Sequence, residues 1–214
     1  MTAPPLSKPA RGSLTRDQIV DAAIELVDTH GASALSTRRL GRALGVRGMA
    51  IYWHLPNMDA LMDAMLEKIW DGVYENPTAR PEDWVDHMRR VMESIRQVGM
   101  DHPHVFGLLG TRRAPDRLQR MAAANSALLR RAGFSDELAQ YAIHTLFGHV
   151  FWNVLGEVRG YYGAPTPQAR GSRLRRNRLF GPGLDIILTG LQTLVARQRR
   201  SATELHSGRL THET

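Results

Sequence analysis

The chain contains no cysteine. A disulfide framework, a thiolate metal site and a cysteine nucleophile are therefore excluded at the outset. Lysine occurs only at Lys8 and Lys68, so 26 of the 28 basic residues are arginine. Arginine makes the better bidentate contact to phosphate and guanine, although codon bias in a GC-rich genome would enrich it equally. No apolar run approaches the roughly 18–20 residues that a membrane span needs, and the N-terminus lacks a signal-peptide core. The chain is thus expected in the cytoplasm, without a membrane partner. Nucleophile elbow, phosphate loop and HExxH helix are all missing, and no spacing demands catalysis. No catalytic residue, metal ligand or cofactor is assigned. A helical enzyme, using histidines and carboxylates such as Glu157, stays as an alternative. So does a basic surface-binding protein, which would need a helix with a continuous cationic face.

What is present is a net charge of +7, a pI near 10.5 and 43% hydrophobic residues, enough for a packed core and suited to a polyanionic partner. Residues 1–13, MTAPPLSKPARGS, read as a flexible arm, either idle or following a DNA minor groove. Thr15 and Gln18 then have capping-box spacing, and Ile19, Ala22, Ala23, Leu26 and Val27 trace one face of a helix ending at Gly31. From Ser36 to Pro56 the chain reads STRRLGRALGVRGMAIYWHLP. Ser36 caps a short helix with Leu40, Ala43 and Leu44 on one face, and Gly45 can stop it in a left-handed conformation. A second helix is expected to begin near Arg47. In a helix-turn-helix that second helix enters the major groove, which makes Arg47 to His54 the recognition segment. Two short helices joined at a glycine also occur in proteins that never touch DNA. The consecutive Tyr52, Trp53 and His54 argue for contact, because three bulky polar aromatics cannot all face one small core. Leu55 and Pro56 break the pattern, and Asn57 caps a fourth helix expected to reach about Glu75.

The run LTRDQIVDAAIELVDTHGASALSTRRLGRALGV, followed by IYWHLPNMDALMDAM, resembles the DNA-binding domain and linker helix of the tetracycline-repressor family of transcription regulators. The match is close over residues 14–66. It is looser through LGTR (109–112), AGF (132–134), YAI (141–143) and LDIILTGL (184–191). The resemblance implies an all-α fold: a three-helix helix-turn-helix domain at 14–56, then a linker helix and a larger ligand-binding and dimerisation domain at 57–200, with a flexible tail at 201–214. It implies double-stranded operator DNA, a small-molecule effector and a second copy of the chain as partners, and most naturally a repressor released by its effector. Carried over by position, Thr37, Tyr52 and His54 match phosphate contacts, Arg38 a base-contacting arginine, and Trp53 a residue packed on DNA. Gly48, Met49 and Ala50 stand where the family's founding member reads bases with glutamine, proline and threonine. Met58 replaces a phosphate-binding lysine. The operator is therefore a different sequence, and Arg38 and Arg47 are the candidates for guanine. Tyr74, Leu108 and Gly156 occupy positions of magnesium–tetracycline contacts, so no site of that type is expected.

Downstream, Trp84 to Val98 carries a wide apolar stripe, and Asp116 to Ala132 a second helix. Ser135 caps a long helix, to about Arg159, that is apolar nearly all round. Its own domain can cover about half. A partner copy covering the rest, together with a last helix over Leu184 to Val195, completes a four-helix bundle, with Val150, Val154, Ile187, Leu188, Leu191 and Leu194 at the dimer interface. A monomer buried wholly by its own chain is the alternative. Candidate effector-pocket residues are Tyr74, Met88, Met92, Phe106, Met121, Asn125, His144, Phe147, Phe151 and Trp152, since polar groups on apolar faces among methionines suit an adaptable pocket. Arg170, Arg173, Arg175, Arg176 and Arg178 fall in a stretch without acids, read as a solvated loop or as a phosphate site.

Overall fold

The computed structural model describes residues 14–159 and 179–210, the last ten as backbone alone. The N-terminal arm and the arginine-rich stretch at 170–178 lie outside the described residues. Among those described, every regular element is helical and there is no strand. They divide into two compact units. One holds the residues up to Val73 together with Val98–Leu118; the other holds Tyr74–Gln97 and the residues from Gln119 onward.

The first unit is built on α1 (Arg16–His30). Its capping box closes as the sequence predicts: the Gln18 amide donates to the Thr15 hydroxyl at 3.2 Å, and the Thr15 amide donates to the Gln18 side chain at 3.0 Å. Such a cap contributes about 1 kcal/mol. Ile19, Val20, Ala23, Ile24 and Val27 are buried, whereas Ala22 and Leu26 are only half covered. The buried arc is rotated from the expected stripe because α1 is packed by α2 (Thr37–Leu44), by α4 (Met58–Ile69) and by α6 (Pro103–Phe106).

Ser36 accepts the Arg39 amide and caps α2, which ends at Gly45 with φ 69°. The next helix, α3 (Met49–Tyr52), starts at Met49, two residues beyond Arg47, near which it was expected to begin, and Arg47 lies in the turn. Helix α2 and this turn approach closely. A Cβ on Gly41 would stand 2.9 Å from the Val46 carbonyl oxygen and 3.1 Å from the Gly48 amide nitrogen. Both neighbours are backbone, so the turn cannot yield by rotating a side chain. Gly41→Ala is thus expected to destabilise the unit by about 1–2 kcal/mol, the cost of overpacking less the gain in helix propensity. Thermal melting should show a midpoint lower by several degrees, and an unchanged midpoint would contradict the packing.

Asn57 caps α4 through the Ala60 amide at 2.8 Å. The helix stops at Ile69, short of Glu75, because Trp70 turns inward to lie 6.1 Å from the Phe106 ring in the core. The compact unit therefore reaches well beyond residues 14–56. Asp59, Asp63 and Glu67 on α4, and Asp71 in the turn that follows it, recur at a spacing of four. Arg112 donates to Asp63 at 2.8 Å and to Asp59 at 2.9 Å. The Arg117 amide meets Glu67 at 3.1 Å, and its guanidinium meets Asp71 at 3.1 Å. The acidic ladder on α4 is thereby neutralised from the 107–118 segment.

In the second unit, α5 (Trp84–Asp101, up to Gln97) and α7 (Asp116–Arg131, from Gln119) accompany α8 (Asp136–Val158) and α9 (Phe180–Leu210). Trp84 packs edge-on against Phe134 at 5.0 Å. Helices α8 and α9 pack along each other, and the Arg96 guanidinium sits 5.2 Å above the Phe180 ring while pairing with Glu157. Helix α9 continues through Leu210, past Val195 and past residue 200, where a tail was expected.

Candidate nucleic-acid interface and effector region

The helix-turn-helix residues divide cleanly by exposure. Leu40, Leu44 and Ile51 are buried, and Ile51 anchors α3 at 1% exposure. Around this anchor Arg38, Arg39 and Arg42 on α2, Arg47 in the turn and His54 after α3 are all exposed. Thr37 is half-buried at the first turn of α2. Tyr52 is 40% exposed and Trp53 89%. The three consecutive aromatics thus all reach solvent, more than the one that packing requires. Gly48 has a packing role that the sequence does not announce, since a Cβ there would lie 3.2 Å from the Thr37 carbonyl oxygen. It sets the approach of the turn to α2.

Ion pairing differs among the basic side chains of this unit. Arg112, Arg117 and Lys68 are paired with carboxylates. Among the described residues, Arg38, Arg39, Arg42 and Arg47 meet no acid within ion-pair distance. Four unneutralised guanidinium groups beside exposed tyrosine, tryptophan and histidine form a surface for a polyanion with flat, stackable parts.

The second unit holds most of the expected effector residues, unevenly placed. Tyr74 lies 5.9 Å from the ring of His87, and the buried His87 and Asn125 meet at 2.8 Å between Nε2 and Oδ1. Met88, Met92 and Met121 are buried in the same unit. Phe147 and Phe151 stack at 6.1 Å, while His144 is exposed and Trp152 is 61% exposed. Phe106 is a core residue of the other unit, against Trp70. Its apolar surroundings explain the correction: an aromatic beside two histidines in sequence is here a packing residue. His87 is a further polar residue of this region that was not among the expected site residues. It falls three residues after Trp84 and four before Val91, inside the apolar register of α5, and a polar residue there signals a buried hydrogen-bonded pair. An open cleft of about 310 Å³ is lined by His87 itself together with Tyr74, Arg80, Asp83, Asp86 and Arg90 among others. Among the described residues no three His, Asp or Glu side chains could together hold a metal ion, and no helix is long and apolar enough to cross a membrane.

The expected dimer face needs correction. Val150, Val154, Leu188 and Leu191 are buried within a single chain, in the seam between α8 and α9, and Ile187 is half-buried. Of the six, only Leu194 is exposed, at 44%. The outward stripes are Tyr141, Thr145, Gly148 and Trp152 on α8 and Ile186, Gly190 and Leu194 on α9. A Cβ added at Gly148 or Gly190 would touch nothing within 4 Å.

Comparison with known proteins decides the family. A family model described as bacterial regulatory proteins, tetR family, matches residues 19–65. An HTH-type transcriptional regulator of Saccharopolyspora erythraea is 32% identical over 181 residues, covering 80% of this chain and 73% of the relative. The chain belongs to the TetR family. It is a helix-turn-helix transcriptional regulator, and the exposed arginines and aromatics fall in the part that the family model covers. The tetracycline repressor of class A from transposon 1721 of Escherichia coli is 29% identical over 196 residues, covering 83% of this chain and 90% of that repressor. The TetR family protein ActR of Streptomyces coelicolor, solved in complex with actinorhodin, matches the fold with a TM-score of 0.69 at 26% identity, over 84% of this chain and 95% of ActR.

Proposed function

We propose that this TetR-family regulator works in the cytoplasm as a homodimeric repressor, without catalytic activity, whose two recognition helices hold operator DNA until a small organic effector releases them. The observation that carries the reading is that Arg38, Arg39, Arg42 and Arg47, exposed and without an ion pair among the described residues, share one helix-turn-helix with the exposed Tyr52, Trp53 and His54. On this reading Thr37, Tyr52 and His54 contact phosphate, and Arg38 and Arg47 contact base edges. The effector site is assigned to the second unit around Tyr74, Asn125, Met88, Met92, Met121, Phe147 and Phe151. There a hydrogen-bonded His87–Asn125 pair supplies the polar groups and the methionines supply adaptable walls. The binding of actinorhodin by ActR supports an organic effector. The effector would lower operator affinity by a coupling free energy of about 1–3 kcal/mol, and by linkage operator DNA would weaken effector binding equally.

The test is selection from a random double-stranded DNA library by the purified protein, followed by mobility shift. A two-fold symmetric sequence with half-sites about one helical turn, roughly 34 Å, apart is the expected product. Enrichment of no sequence above background would sink the reading.

A further inference from the structure

One residue on the recognition surface has no partner in the protein and no hydrogen-bonding use: Met49, the first residue of α3, is 72% exposed. Four residues on, Trp53, which caps the end of α3 with its backbone still helical, is 89% exposed, and residues four apart in helical backbone lie on one side, so the two form an apolar ridge. Arg47, two residues before Met49, and Arg38, on α2 of the same helix-turn-helix, are exposed and make no ion pair among the described residues. A large apolar side chain held in water beside concentrated positive charge gains nothing in the free protein. It gains if the polyanion that the arginines attract also offers an apolar group at that point. In the major groove that group is the 5-methyl of thymine; the remaining edges are hydrogen-bond donors and acceptors that a thioether serves poorly. The N-terminal residues of a recognition helix are the ones that reach base edges.

We propose that Met49 reads a thymine methyl group in each operator half-site, so that specificity at this position comes from apolar contact and not from hydrogen bonding. The inference rests on the operator-binding reading above and adds the chemistry of one base position. It also accounts for the neighbours. Gly48 and Ala50, without long side chains, leave the methionine free to approach the base.

The experiment uses the duplex that the full-length protein selects from the random library, resynthesised with uracil replacing a fraction of its thymines. Bound and free molecules are separated and the uracil positions read by glycosylase cleavage. For the wild-type protein, uracil should be depleted from the bound fraction at one symmetric pair of positions. Full replacement at that pair should weaken binding about fifteenfold, and replacement in one half-site about fourfold, as expected for methyl groups withdrawn from an apolar contact. With Met49→Ala, and with Met49→Gln, which keeps the length but is polar, the depletion at that pair should vanish. Both variants alter an exposed residue, and their unchanged melting would confirm the fold. Depletion unaltered by either variant, or no thymine at which methyl loss matters, would overturn the proposal while leaving operator binding intact. A protein that selects no duplex would overturn both.

Discussion

Arg38→Ala combined with Tyr52→Ala should abolish the operator shift while leaving the protein folded. Both side chains are exposed, and Arg38 makes no ion pair among the described residues, so their loss costs the free protein almost nothing. On DNA the loss is large. A bidentate arginine–guanine contact is worth about 1–3 kcal/mol, and a two-fold complex contains it twice, so Arg38→Ala alone removes about 2–6 kcal/mol. That is a thirtyfold loss at the least, before the tyrosine is counted. The salt dependence separates base contact from bulk charge. If Arg38 neutralised phosphates only, its removal from both half-sites would flatten the slope of log affinity against log salt by about 2. A base-reading arginine lowers affinity with less change in slope. Arg130→Ala, which removes the same charge from the second unit, where Arg130 pairs with Asp136 at 3.2 Å, is the control. If it weakens binding as much as Arg38→Ala, attraction is nonspecific and the recognition assignment fails.

The parts of this molecule that could be read in the sequence are those fixed by local chemistry. Thr15 with Gln18, Ser36, Asn57 and Ser135 each cap the helix they were expected to cap, because a cap depends on residues within one turn. The inward residues Leu40, Leu44 and Ile51 follow from spacing alone. What escaped depends on how faces are apportioned between neighbours. The stripe on α1 rotates because three helices press on it. Val150 and Leu188 look like interface residues in a pattern that cannot tell covering by the same chain from covering by another. Phe106 sits beside His102 and His104 in sequence, yet its ring belongs to the Trp70 core. Arg112 and the acidic ladder of α4 are far apart in the chain, so no window of residues joins them. The same limit hid His87, whose partner Asn125 is on another helix.

The corrected placement of α8 and α9 changes which substitutions should separate the two protomers. Val150, Val154 and Leu188 are at 0–1% exposure in the single chain, so truncating Leu188 to alanine should cost about 2–5 kcal/mol of protomer stability whether or not a second copy binds. Trp152 and Ile186 are different, at 61% and 73% exposure. With Gly148 between Tyr141 and Trp152, and Gly190 between Ile186 and Leu194, each stripe has large side chains at its ends and an open glycine in the middle, where another helix can cross closely. Two-fold symmetry then meets each stripe with its own copy. Trp152→Asp with Ile186→Asp would place four carboxylates in that symmetric contact, each costing several kcal/mol to desolvate without a partner, while each protomer keeps both positions in water. The double variant should sediment as a folded monomer. Its operator affinity should fall by about 10²–10⁴, because the second half-site is no longer delivered at the high effective concentration that a dimer provides. A single half-site should be bound as by wild type, since no DNA-facing residue has changed. A variant that remains dimeric and binds the whole operator normally would place the interface elsewhere.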